Sequence, residues 1–340
     1  MKVSKYLSKK LSVISFIGIV FIIFIHSTLL NVEQFKVFWY TQAFLRNIWN
    51  SFYPMFFSIS GYLFFIGLNG SKKEFLYKFK SRFKSLFIPY VFWNVAFIVV
   101  MLTLKYNPLT GAMINGDFSK LFSLNFFGWL YELFLKPIGF HLWFVRDLMF
   151  MVLISPLIWY LIKKAGYFFI LITVLFNIYF NQLPLLGSLV PFSLGALLAI
   201  NNRNIEKKIS NIGLLILLIL TGILGFLRIQ SKAYGELEFY YAWIPFLLIW
   251  FGYDYLSKKG YTFNVFLKWL PYTFFIYVFH EPYLNISKKI LLKISYEKEW
   301  GIWSSYFLSP LFTLASAIII AKILEKYTPK FYKIITGGRN

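Results

Sequence analysis

The apolar positions of this chain come in long runs rather than in alternation or in narrow stripes. Ten stand out, at 11–30, 43–68, 86–104, 143–162, 167–180, 185–200, 211–228, 240–256, 264–286 and 302–324. A helix that crosses a bilayer needs roughly 20 apolar residues, whereas a membrane β-barrel shows short alternating segments. The pattern predicts an all-α, polytopic membrane helical bundle of about ten transmembrane spans, built as a single domain over 1–340. Several runs carry proline, at Pro54, Pro156, Pro191, Pro245, Pro271 and Pro282. Such breaks are tolerated where neighbouring helices or polar groups satisfy the freed backbone. The stretch 120–136 is apolar but short and is followed by Pro137 and Gly139, so it reads as an interfacial or re-entrant helix on the 105–142 connection. No internal repeat is visible, which argues against an inverted-repeat transporter.

Composition agrees with a membrane class. Charged residues make up 14% of the 340 residues and hydrophobic ones 59%, where a soluble domain has roughly 25% charged residues. The formal charge of +22 could suggest a nucleic-acid partner. The lysines, however, cluster between the apolar runs, as positive-inside anchoring requires, and no aromatic-basic module interrupts the spans, so none is expected. The absence of cysteine excludes disulfides, thiolate catalysis and Cys-ligated metals. The first run lacks a small-residue cleavage site and is expected to stay as a signal anchor. With the N-terminus inside, the inner segments hold about 22 Lys and Arg and the outer ones about 11. That bias predicts cytoplasmic termini and a multi-pass protein of the bacterial cytoplasmic membrane. The basic 287–301 loop, assigned outside, runs against the trend.

The chain has three histidines, His26, His141 and His280. The charge-derived topology places all three near the outer face, with Arg146, Asp147 and Glu281 beside two of them. Ionisable groups at membrane depth are expensive and are functional candidates by default; the competing reading of His26 is a wet imidazole at the headgroup boundary. Histidine suits general-base chemistry because its unperturbed pKa lies near working pH. No His pair sits at i, i+3 or i, i+4 on one helix, so no metal site is expected, and no Gly-x-Ser-x-Gly elbow marks a serine hydrolase. Arg146 lies five residues after His141, off its face, and is expected to pair with a carboxylate from another helix. Asp147 reads as structural. Pro282 is expected to end or kink its span. Ser60 is a candidate substrate contact, with close helix packing at Ser60-Gly61 as the alternative. Trp129, Trp143 and Trp159 read as belt or packing residues.

Six patches, in order, carry a family resemblance: FIIFIHS (21–27), FFSISGYLFF (56–65), KSRFKSLFIPYVFW (80–93), HLWFVRDL (141–148), PFSLGALLA (191–199) and FFIYVFHEPYL (274–284). Together they cover about residues 10–325, and the chain resembles the membrane-bound acyltransferase-3 family of integral-membrane glycan O-acyltransferases. The family often carries Arg eleven residues before the first-span His. Here that position is Ser15, about three helical turns from His26 and on the same face, and it supplies no cation.

The resemblance implies an O-acetyltransferase that uses cytoplasmic acetyl-CoA or another acyl-CoA as donor substrate, with no tightly bound cofactor. The acceptor would be a hydroxyl of an extracytoplasmic cell-surface or capsular polysaccharide, or of its lipid-linked precursor. His26 would be the catalytic base and His141 a second catalytic or acceptor-positioning residue. Arg146, His280, Glu281 and Ser60 would contact substrate. Arg82 and Lys84, in a basic segment that also reads as cytoplasmic anchoring, would hold the donor's phosphates, since Arg matches phosphate geometry. The rival class is an exporter of the same glycan without acyl chemistry.

Overall fold

The computed structural model describes residues 3–108, 110–111, 118–180, 184–206, 208–230 and 241–338. Lys2, Lys207, Lys232 and Arg339, which enter the charge tally above, lie outside the described residues. Among the described residues every regular element is helical. In chain order these are α1 Lys5–His26, α2 Lys36–Trp49, α3 Phe52–Phe65, α4 Lys72–Arg82, α5 Ile88–Tyr106, α6 Phe126–Phe134, α7 Trp143–Leu153 and α8 Ser155–Ala165. They continue as α9 Tyr167–Tyr179, α10 Pro184–Ile200, α11 Asn211–Gln230, α12 Trp243–Lys258, α13 Asn264–Leu267, α14 Thr273–Ile294, α15 Glu299–Tyr327 and α16 Pro329–Ile335. A π-helical turn, Phe83–Phe87, joins α4 to α5.

The apolar runs are built as helix, but not as ten unbroken spans. Four helices among the described residues are long and apolar enough to cross a membrane alone, and a fifth if the pair broken at Ile154 is one span. Local chemistry explains the breaks. The 43–68 run divides at Asn50–Ser51, which places Pro54 in the first turn of α3, where its missing N–H costs nothing. The 143–162 run divides at Ile154, ahead of Pro156. Pro156 cannot return a hydrogen bond to the carbonyl of Val152, and the Ser155 hydroxyl donates to that carbonyl at 2.7 Å instead.

The chain forms two compact units. The first comprises 1–78 and 150–270. Its α1 starts at Ser4, whose hydroxyl caps the helix by accepting from the Leu7 N–H at 3.0 Å. Helices α3 and α10 cross closely: a Cβ on Gly61 would strike the Phe192 carbonyl, and one on Gly195 would strike the Ser58 carbonyl. Small residues that let backbones approach are the usual glue of membrane helices, so the Ser60-Gly61 turn serves packing through Gly61. Lys10, one of the inner-segment lysines in the charge count, is fully buried and pairs with Asp254 of α12 at 2.8 Å. The Tyr6 hydroxyl donates to the other carboxylate oxygen, and the ammonium lies 3.7 Å from the Trp250 ring centroid. An apolar neighbourhood makes that pair costly to break, because either charge left alone stays buried.

The second unit comprises 79–149 and 271–340. Helices α14 and α15 pack along each other, and α5 packs on α14. The short α16 closes onto α5: the Trp93 indole donates to the Ile335 carbonyl at 2.9 Å, and Phe331 meets Phe92 with ring centroids 5.5 Å apart. The 133–142 connection is strapped to α5. The Tyr90 hydroxyl donates to the Leu133 carbonyl, and the Gly139 N–H donates to Asn94 Oδ1 at 3.3 Å.

Two stability outcomes follow. Gly61→Ala should cost roughly 1–3 kcal/mol through overpacking, read as a lower thermal midpoint of the detergent-solubilised protein; an unchanged midpoint contradicts the close crossing. Asp254→Asn should cost roughly 3–5 kcal/mol by stranding Lys10. The double replacement Lys10→Met/Asp254→Leu should recover most of that loss in the same melt, and a double variant no better than the single one contradicts the ion-pair account.

Candidate active site

The second unit gathers the buried chemistry around the break in α14. Pro282 sits inside this helix, and Glu281 before it leaves helical geometry with φ −104° and ψ 138°. The expectation of a kink at Pro282 therefore holds. Pro282 has no N–H to give the carbonyl four residues back, Val278, and the extended Glu281 disrupts the ladder at the same point. His141 Nε2 donates to the Val278 carbonyl at 3.1 Å. His280 Nδ1 donates to the Tyr277 carbonyl. A carbonyl only accepts, so the network assigns each ring's hydrogen: Nε2–H on His141 and Nδ1–H on His280. The proton-accepting nitrogens are then Nδ1 of His141 and Nε2 of His280. The two rings meet edge to face, with centroids 5.2 Å apart, and both are buried.

His141 is held from several sides. The Tyr277 hydroxyl donates to its backbone carbonyl at 2.6 Å. The Phe97 ring lies 5.4 Å away, centroid to centroid. Tyr90, Asn94 and Phe97 lie at i, i+4 and i+7 on α5, so one helix face contacts Leu133, Gly139 and His141 in turn. Glu281 is 4% exposed. Its Oε2 accepts from the Asn285 amide at 2.8 Å, and its Oε1 has no hydrogen-bond partner among the described residues.

Arg146 departs from expectation. It pairs with the adjacent Asp147 rather than with a carboxylate from another helix: Nε and Nη2 both reach Asp147 Oδ1, at 2.7 and 2.6 Å. Its Nη1 donates to the Leu135 carbonyl at 2.7 Å. Neighbouring helical side chains diverge by about 100°, but the long Arg chain folds back across that angle. Asp147 is fully buried, in keeping with a structural role.

The remaining candidates are carried by other elements of the chain. His26 is the last residue of α1 in the first unit and is half-buried, one helical face from the half-buried Ser15. Ser60 lies on α3 in that unit, also half-buried. Arg82 and Lys84 flank the start of the π turn in the second unit. Arg82 is half-buried without a hydrogen-bond or ion-pair partner among the described residues, while Lys84 is exposed. Ahead of the α5 run, Ser71 and Glu74 form a capping box on α4, and the donors of Ser71 and Asn69 hold the Glu74 carboxyl below its usual range.

Tyr277, Asn94, Tyr90 and Asn285 are parts of this arrangement that sequence reasoning passed over. One signal was available: Asn94 is an amide within the apolar 86–104 run, and a buried amide needs partners. The Tyr277 contact reaches a residue 136 positions away in sequence and had no local signature.

Comparison with known proteins bears on the whole of this region. No curated protein and no solved structure matches the chain. The acyltransferase-3 family, described as an acyltransferase domain, matches residues 10–322, nearly the full length and through both units. The chain thus belongs to the acyltransferase-3 family and is a membrane acyltransferase.

Proposed function

We propose that this acyltransferase moves an acetyl group from cytoplasmic acetyl-CoA to a hydroxyl of an extracytoplasmic cell-surface or capsular polysaccharide, or of its lipid-linked precursor. The observation that carries the reading is the family match over residues 10–322, which takes in every candidate residue. The excess of basic residues on the segments assigned inside supports cytoplasmic termini and a cytoplasmic donor. The half-buried guanidinium of Arg82, without a partner among the described residues, supports a phosphate-bearing donor there, with Lys84 adding charge.

In this mechanism His26 takes the proton of the acceptor hydroxyl as that oxygen attacks the thioester carbonyl. A C–O bond forms and the tetrahedral intermediate collapses with loss of the C–S bond. The imidazolium returns its proton to the departing CoA thiolate, so no net proton is lost or gained. His141 works on the acceptor side with His280, Glu281 and Ser60 as substrate contacts. Ser15 leaves donor orientation to other cations.

The test is His26→Ala in the native host, with glycan acetyl content read by NMR and protein level checked by immunoblot. Removing a general base costs about 10²–10⁴-fold in rate, so the acetyl signal should all but vanish at normal protein level. Undiminished acetylation contradicts His26 as base. Wild-type glycan that carries no acyl group, yet is lost from the surface on gene deletion, would favour export over acyl transfer.

A further inference from the structure

The family match stops at residue 322, yet the following residues fold back onto the basic turn. Three contacts dock this segment within the second unit. The Trp93 indole donates to the Ile335 carbonyl at 2.9 Å. Tyr332 is buried with its ring 5.6 Å from Phe275, centroid to centroid. Gly337 has φ +65°, and a Cβ there would lie 2.5–2.9 Å from the Ser85 backbone. Only glycine combines that left-handed backbone with that approach.

The docking point is itself unusual. Ser85 is the middle residue of the π-helical turn Phe83–Phe87. Such turns are rare and concentrate at functional sites. The Ser85 hydroxyl is buried without a hydrogen-bond partner among the described residues. Arg82 precedes the turn directly, half-buried and without an anionic partner among the described residues. A half-buried cation and a buried, unpaired hydroxyl three residues apart on one turn are an arrangement that an anion would complete.

We propose that the C-terminal segment Pro329–Gly338 is a positioning element for donor binding: by seating Gly337 against Ser85 it holds the π turn, and with it the Arg82 guanidinium, in register for a phosphate group of the acyl-CoA. This rests on the reading of Arg82 as a donor-phosphate contact. Gly337 and Trp93 act through the turn and touch no substrate.

The test is acetyl-CoA binding by titration calorimetry on the full chain in lipid nanodiscs, with thermal midpoints measured alongside. Arg82→Gln should weaken binding about tenfold, the equivalent of 1.4 kcal/mol. Gly337→Val should weaken it by a similar factor, and the double variant should be no weaker than Arg82→Gln alone, since both act through one guanidinium. Trp93→Phe, which removes only the indole donor to Ile335, should shift affinity in the same direction and covers the case in which Gly337→Val does not fold. If Arg82→Gln weakens binding while the Gly337 and Trp93 variants bind like the parent, the positioning role is wrong and the donor contact stands. Losses that add in the double variant also overturn it, as they would show a structural defect independent of Arg82. If Arg82→Gln itself binds acetyl-CoA normally, the donor-contact reading fails and the positioning role falls with it.

Discussion

A carbonyl left without a donor inside an apolar helix costs several kcal/mol, and that constraint organises the candidate site. Pro282 removes the N–H that would satisfy Val278, and the extended Glu281 opens the ladder beside it. His141 supplies the missing donor to Val278, and His280 donates to the neighbouring Tyr277 carbonyl. Each ring thereby gains a defined tautomer and orientation, which is what a proton-transferring histidine requires. The same donation brings the two rings to 5.2 Å. Pro156 shows that a break alone does not make a site: there the Ser155 hydroxyl takes the freed carbonyl and no titratable group is recruited.

Around this anchor the buried polar groups divide by what they do. The Tyr90–Asn94–Phe97 face of α5 and the Arg146–Asp147 pair tie down the connection that delivers His141. The Lys10–Asp254 pair in the first unit is closed on itself by Tyr6 and Trp250, leaving little capacity for a ligand. Among the described residues Glu281 keeps one carboxylate oxygen without a partner, and Arg82 keeps its guanidinium unpaired. Open valences of this kind, rather than polarity as such, separate binding candidates from structural ones.

Much of the architecture was legible in the residues. The apolar runs became helices, and the kink fell at Pro282. Other features were not legible, for physical reasons. Runs such as 43–68 carry no charge signal at Asn50–Ser51, so hydropathy reads through a break that the proline four residues on determines. Lys10 looked like one more inner-segment lysine because its partner, Asp254, is contributed by a distant helix. Arg146 was expected to reach across to another helix because spacing rules describe Cβ directions and not the reach of a long side chain. Asn94 and Tyr277 matter through which backbone groups they meet, and those are set by the fold.

With only three histidines in the chain, nitrogen-15 NMR of the imidazoles reads the anchoring directly, with assignment by single His→Gln replacements. The account predicts His141 protonated at Nε2 and His280 at Nδ1 in the resting protein, both in slow exchange with solvent because both rings are buried. The reverse assignment, or a rapidly exchanging mixture of tautomers on either ring, would contradict the claim that the Val278 and Tyr277 carbonyls hold the two histidines.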